Sequence, residues 1–144
     1  MQPLDLTKHP PRSPREKLGG LYFLARTIDK MRASLPGGNI GAYKIAGTST
    51  RLLDAIGVKA EELQEVVARS ASEDEVVAWV RSHSNQAAYE DWNRAAETRS
   101  VKDIDAERLA AFAQSYPNYA NVPSGLLFDI LEDDDARAFE KINR

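Results

Sequence analysis

Apolar residues recur at helical spacing along most of the chain, and turn-forming residues separate these stretches. After residue 50, each stretch places its apolar residues on one face at intervals of three and four positions. These stretches span residues 51–56, 60–69, 73–83, 86–98 and 106–116, with two further short helices at 126–131 and 135–142. No alternation of strands and helices is present. The pattern predicts a mainly α fold with about six or seven short helices.

The first helix is predicted over residues 13–35. Ser13 and Glu16 form an S-x-x-E capping box, which satisfies free backbone N–H groups at a helix start. The Pro-Gly-Gly run at 36–38 ends the helix. Two adjacent glycines at 19–20 weaken the helix and permit a break there.

The segments around the first helix complete a single compact domain over residues 1–144. Residues 1–12 contain three prolines and a basic bias, which indicates an extended arm. Residues 36–49 form a Gly-rich loop with one candidate short strand at 42–46, and residues 50–144 form a bundle of short helices.

Composition and charge exclude or disfavour several classes of site and partner. The 144 residues include no cysteine, which excludes disulfides and thiolate metal sites. No apolar run is long enough for a membrane span or a secretory signal, so we expect a cytoplasmic protein without a membrane partner. Residues 1–51 carry a net charge of +6 and residues 52–144 a net charge of -9, an uneven balance that disfavours nucleic acid as a partner.

Charged residues on the first helix are the strongest candidates for a site. A helical wheel places Asp29 and Arg32 within the apolar face, and Arg26 and Lys30 on the opposite polar face. A buried carboxylate and guanidinium need partners, because an unpaired buried charge costs several kcal/mol. Asp29 and Arg32 therefore form either a buried salt bridge or a polar cluster at the floor of a pocket.

The basic arm offers a second candidate site. Arg12 and Arg15 flank the predicted helix start at Ser13, where free N–H groups and the helix dipole favour an anion. A phosphate or carboxylate ligand is one occupant of that position. The alternative is that the arm binds the acidic remainder of the same chain.

Three other motifs carry less weight. The glycines at 36–41 follow a helix, whereas a phosphate-binding loop precedes one. Tyr43 either points its hydroxyl toward the first helix or packs at the loop edge. The acidic run at 132–135 lacks the alternating ligands of a calcium loop, and we interpret it as a favourable start for the last helix. The sequence indicates no metal and no cofactor.

The N-terminal third carries a family resemblance. The strings PPRSPR, LGG and RTIDKMRA resemble the opening of the bacterial domain-of-unknown-function family fifty sixty-nine. Where that family often has Pro before the equivalent of Arg26 and Glu before the equivalent of Tyr43, this chain has Ala25 and Ala42. The resemblance implies no assigned reaction.

These observations favour a binding module for a small anionic ligand or an acidic partner segment. The candidate ligand-binding residues are Arg12, Arg15, Arg26, Asp29, Lys30, Arg32 and Tyr43. One alternative is an enzyme in which Asp29 is a general acid or base, Arg32 an electrostatic stabiliser and Tyr43 a proton donor. Another is a structural domain that binds a protein partner or forms a homo-oligomer.

Overall fold

The fold is mainly α, as the sequence predicts. A computed structural model describes residues 1–140, and these residues form seven α-helices with three isolated β-bridges. The helices are α1 (Leu24–Ala33), α2 (Thr48–Ile56), α3 (Ala60–Arg69), α4 (Glu73–His83), α5 (Tyr89–Thr98), α6 (Ala106–Ser115) and α7 (Leu127–Ala138). Short 3-10 turns lie at Gln86–Ala88, Val101–Asp103 and Tyr119–Asn121.

Helix α1 lies at the centre of this domain. Nine of its ten residues are buried, so it is enclosed on all sides instead of presenting one face to solvent. Its apolar residues Leu24, Ile28 and Met31 join one core with residues from α2, α3, α4, α5 and α7. The polar residues of α1 are therefore buried as well.

The predicted first helix is wrong over residues 13–23, because no helix begins at Ser13. The Ser13 hydroxyl accepts a hydrogen bond from the Arg15 backbone N–H at 3.1 Å within a turn. Gly19 and Gly20 then adopt φ values of 59° and 85°, which any residue with a Cβ would resist. Helix α1 starts only after Phe23, which itself has an unusual φ of 75°.

Two other element predictions are also corrected. Residues 42–46 form no strand. The acidic run at 132–135 lies within the single helix α7 and does not precede a new helix. Three of its four carboxylates contact arginines: Glu132 contacts Arg15, Asp133 contacts Arg137 and Asp135 contacts Arg26. Residues 141 and 142 of the last predicted helix lie outside the described residues.

Side chains cap the starts of two helices. The Ser72 hydroxyl accepts a hydrogen bond from the Glu75 N–H at 3.4 Å at the start of α4. The Asp105 carboxylate accepts one from the Arg108 N–H at 2.9 Å at the start of α6. Side-chain oxygens at these positions satisfy backbone groups that the helix leaves free.

The N-terminal arm is packed along the domain. The Leu4 N–H donates to the Arg32 carbonyl at 3.3 Å, and the Leu4 carbonyl accepts from the Asn39 N–H at 2.9 Å. Leu6 is only 1% exposed. The arm therefore covers the end of α1 and the loop that follows it.

A buried ion pair joins α1 to α7. The Arg26 guanidinium donates to the two carboxylate oxygens of Asp135 at 2.6 and 3.0 Å. Arg26 is 1% exposed and Asp135 is 7% exposed. Such a two-point contact fixes the relative position of the two helices.

We expect Asp135→Ala to lower the free energy of unfolding by about 3–5 kcal/mol, because it leaves the Arg26 guanidinium buried without a carboxylate. The matched control is Asp133→Ala on the same helix, which removes a 2.8 Å contact to Arg137 at partly exposed side chains. That loss should be about 0–1 kcal/mol. Denaturant unfolding of both variants measures the difference, and similar losses would contradict a structural role for the buried pair.

Candidate functional site

A cavity of about 840 Å³ lies between α1, the loop at 41–48, α2, α6 and α7. This volume is within the range of small-molecule sites. Its apolar lining includes Phe23, Ile104, Phe112, Leu127, Leu131 and Phe139. The cavity is therefore large enough and apolar enough to hold the body of a small organic molecule.

Five cationic side chains line the same cavity, which we call the cationic cavity. They are Lys30, Lys44, Arg51, Arg99 and Arg108. A single carboxylate, that of Asp134, also lines it. The lining is thus strongly positive although the whole chain has a net charge of -3.

Most of these cations form no ion pair in the described part of the chain. Arg108 approaches Asp105 at 3.6 Å, and both side chains are largely exposed. Lys30, Lys44, Arg51 and Arg99 take part in no ion pair within residues 1–140. In the same part of the chain, the arginines outside the cavity that pair with carboxylates include Arg12, Arg15 and Arg26.

The packing of α5 against α2 brings Arg51 and Arg99 to one wall of the cavity. Arg51 lies in α2, and Arg99 follows the last residue of α5, which packs against α2. The Arg99 carbonyl accepts from the Leu127 N–H at 3.0 Å, which fixes this segment beside α7. Burial lowers the pKa of Arg99, and the positive charges of Arg51 and Arg108 lower it further against the opposing effect of Asp103.

Lys30 is the most deeply buried cation of the cavity. It is 6% exposed, and its Nζ lies 5.3 Å from the centre of the Phe23 ring. Burial lowers the pKa of Lys30 to about 7, and the neighbouring Arg26 charge lowers it further against the attraction of Asp135. The protein around Lys30 therefore stabilises its ammonium form poorly.

Tyr43 connects the cavity to the buried ion pair. Its hydroxyl donates to Asp135 at 2.8 Å, and the Arg26 guanidinium lies 5.5 Å from the centre of its ring. Burial raises the pKa of Tyr43, and the charge and the hydrogen bond of Asp135 add to the rise. Tyr43 stays protonated and holds the loop against α7.

Asp134 is the one acidic group among the described cavity-lining residues. Burial raises the pKa of Asp134, and the adjacent charge of Asp135 raises it further, whereas Arg26 opposes the rise. Burial likewise raises the pKa of Tyr116, which also lines the cavity.

The predicted Asp29–Arg32 salt bridge is wrong. Asp29 instead accepts hydrogen bonds from the Arg12 backbone N–H at 2.8 Å and from the Arg12 guanidinium at 3.0 Å. Arg32 donates from Nε to the Gln2 carbonyl at 2.8 Å. Of the three residues in the enzyme hypothesis, only Tyr43 lines the cavity. Asp29, Arg32 and Tyr43 therefore have separate partners.

The arginines of the arm form ion pairs with carboxylates of the same chain. Arg12 also contacts Glu73 of α4 at 2.7 Å, and Arg15 contacts Asp129 of α7 at 2.6 Å and Glu132 of the same helix. The helix N-terminus that the anion-site hypothesis required at Ser13 is absent. These contacts match the alternative in which the arm binds the acidic remainder of the chain.

The placement of Arg26 and Lys30 on an exposed polar face is also wrong, because α1 has no exposed face. Of the seven candidate residues, Lys30 and Tyr43 line the cavity. Sequence reasoning missed Lys44, Arg51, Arg99 and Arg108, which come from four separate segments. Arg51 and Arg99 carry no distinguishing signal in the sequence, because each has an aspartate at helical spacing, Asp54 and Asp103 respectively.

Neither a metal site nor a membrane span is found in the described part of the chain. No group of three or more His, Asp or Glu side chains within residues 1–140 has the arrangement of a metal site. No helix there is long and apolar enough to cross a bilayer.

Comparison with known proteins identifies a family. A search of curated proteins finds no match. A family model described as "Domain of unknown function (DUF5069)" matches residues 8–137, which include α1 to α6, most of α7 and nearly all of the cavity lining. The chain therefore belongs to the DUF5069 family.

Proposed function

We propose that this protein binds a small organic anion in the cationic cavity. The observation that carries the proposal is a group of four cations that form no ion pair within residues 1–140 and line one partly open cavity: Lys30, Lys44, Arg51 and Arg99. Like charges at a shared wall repel one another, and an anion placed among them removes that repulsion. A binding site is therefore a better explanation of these residues than a structural role.

The lining indicates the shape of the ligand. Guanidinium groups bind carboxylate and phosphate oxygens in a planar two-point geometry, so Arg51 and Arg99 are suited to the charged end. Phe23, Leu127 and Leu131 offer apolar surface for the remainder. The ligand class is a carboxylate or phosphate with a compact apolar body.

Benzoate is a suitable first probe, with neutral benzamide as its matched control. At 100 times its dissociation constant, benzoate should add about 2.7 kcal/mol of stability. For a chain of this size that corresponds to a rise in melting temperature of roughly 5–10 °C. A thermal-shift titration measures it, and equal shifts with benzamide would contradict an anion site.

Substitutions in the cavity and on the arm show where benzoate binds. Arg51→Gln/Arg99→Gln should abolish most of the benzoate shift, whereas Arg69→Gln, at an exposed position on α3, should leave it unchanged. Arg12→Gln/Arg15→Gln tests the alternative site on the arm. Loss of the shift only in the arm variant would place the ligand there and overturn the cavity as its site.

A second prediction concerns stability without ligand. Removal of two like charges should leave Arg51→Gln/Arg99→Gln at least as stable as the wild type, with a gain of about 1 kcal/mol, because binding groups often reduce stability in the empty site. Denaturant unfolding in a buffer free of small carboxylates and phosphate measures this. A loss of 2 kcal/mol or more, on the order seen for core contacts, would assign the pair a structural role.

A third prediction concerns pH. Lys30 is a cation below about pH 7 and neutral above it, so affinity for benzoate should fall as pH rises through about 7. The bound anion favours the ammonium form, which extends the fall upward in pH. Calorimetric titration between pH 6 and 9 should show roughly a tenfold decrease. Lys30→Met should remove this dependence, and an unchanged dependence in that variant would assign it to another group.

A further inference from the structure

Lys30 differs from the other cations of the cavity in its chemical surroundings. It is buried, it lines the cavity, and it has no hydrogen-bond or ion-pair partner among residues 1–140. Its Nζ lies over the face of the Phe23 ring, 5.3 Å from the ring centre. Anion binding alone does not require a lysine at so enclosed a position, since an arginine would retain its charge there.

We infer that Lys30 forms an imine with the carbonyl group of a small oxo acid held in the cationic cavity. This inference rests on the anion-binding function proposed above and adds a covalent step to it. The oxo-acid class follows from two requirements: a carboxylate for the cationic wall and an aldehyde or ketone for the amine. Lysine amines react with carbonyl compounds in this way when they are neutral.

The surroundings of Lys30 favour the neutral amine. The carboxylate that attracts the ammonium form, that of Asp135, is already bound by Arg26 and by the Tyr43 hydroxyl. Arg26 repels the ammonium form, and Tyr43 and Tyr116 carry no charge that would offset this repulsion. With its pKa lowered to about 7, Lys30 has a neutral fraction at pH 7 roughly a thousand times that of an ordinary lysine.

The step balances with groups that line the cavity. The Nζ lone pair attacks the carbonyl carbon, a C–N bond forms, and the proton lost by nitrogen moves to the carbonyl oxygen to give a carbinolamine. Asp134 in its acid form then gives a proton to the carbinolamine hydroxyl, the C–O bond breaks and water leaves. The products are an iminium ion on Lys30, one water molecule and the Asp134 carboxylate. No oxidant or reductant is required.

Asp134 is suited to this proton transfer. It is the only carboxylate among the described residues that line the cavity, and it is half-buried. Burial and the neighbouring Asp135 charge raise its pKa, so its acid form is more populated than that of an exposed aspartate.

Reductive trapping tests the inference. The full-length protein is incubated at pH 7 with sodium cyanoborohydride and one of two probes, glyoxylate or 4-formylbenzoate. In glyoxylate the aldehyde is bonded directly to the carboxylate, whereas in 4-formylbenzoate an aromatic ring separates the two groups. Peptide mass spectrometry should find the reduced adduct on Lys30 with at least one probe, formed roughly a hundredfold faster than on Lys8, which is exposed on the arm.

Controls separate a specific site from general lysine reactivity. Benzaldehyde lacks the carboxylate and should label Lys30 more slowly, and excess benzoate should suppress labelling by the acidic probes. Lys30→Arg keeps the charge and should abolish the adduct, whereas Lys59→Arg, at an exposed position outside the cavity, should leave it in place. Asp134→Asn should slow the trapping of the adduct on Lys30.

The outcomes distinguish the two proposals. Labelling spread over exposed lysines at similar rates, or no adduct on Lys30 with either probe, overturns the imine inference. If benzoate still stabilises the protein in that case, the anion-binding function stands without covalent chemistry. If benzoate gives no shift and Lys30 is not labelled, both proposals fail.

Discussion

Helix α1 carries charged residues and is nevertheless enclosed on all sides, and the rest of the structure depends on this constraint. Helix α1 has polar side chains on every side, and each needs a partner where water is excluded. Asp135 of α7 pairs with Arg26, and Arg12 of the arm pairs with Asp29. The Thr27 and Ser49 hydroxyls lie within hydrogen-bond distance, at 2.9 Å. These contacts join segments distant in sequence to α1, and Lys30 is the one charged residue of α1 that lines the cavity.

The sequence was sufficient to predict the amphipathic helices but not to predict the start and the burial of α1. Helices α3 and α5 each bury one stripe of apolar residues, so the periodicity of the sequence describes them well. A helical wheel assumes one buried side and one exposed side, and that assumption fails for a helix enclosed on all sides. Arg26 and Lys30 were assigned to solvent for that reason, and the Asp29 partner was sought nearby in sequence instead of on the arm. A capping box at Ser13 was also outweighed by Gly19 and Gly20, whose left-handed conformations prevent a continuous helix.

The candidate site could be predicted only in part because it is assembled from side chains with no common spacing. Arg51 and Arg99 are far apart in the chain and come together through the packing of α2 on α5. Helix α6 contributes Arg108 and Phe112 to the cavity, yet none of its own residues is fully buried. Few buried contacts hold that wall, so it can move at lower cost than the walls built on α1 and α7. Helix α6 is thus the wall of the cavity that contributes least to the core.

Phe23 shows how the fold and the cavity impose opposing demands on one residue. Its left-handed backbone costs roughly 1–2 kcal/mol for a residue with a Cβ, and glycine would remove that cost. Its ring, however, lies stacked 6.1 Å from Phe128 and faces the Lys30 amine. A glycine would therefore replace an apolar surface beside the amine with empty space. Position 23 is a point of local frustration, where the turn before α1 is best served by the smallest residue and the environment of Lys30 is best served by a large one.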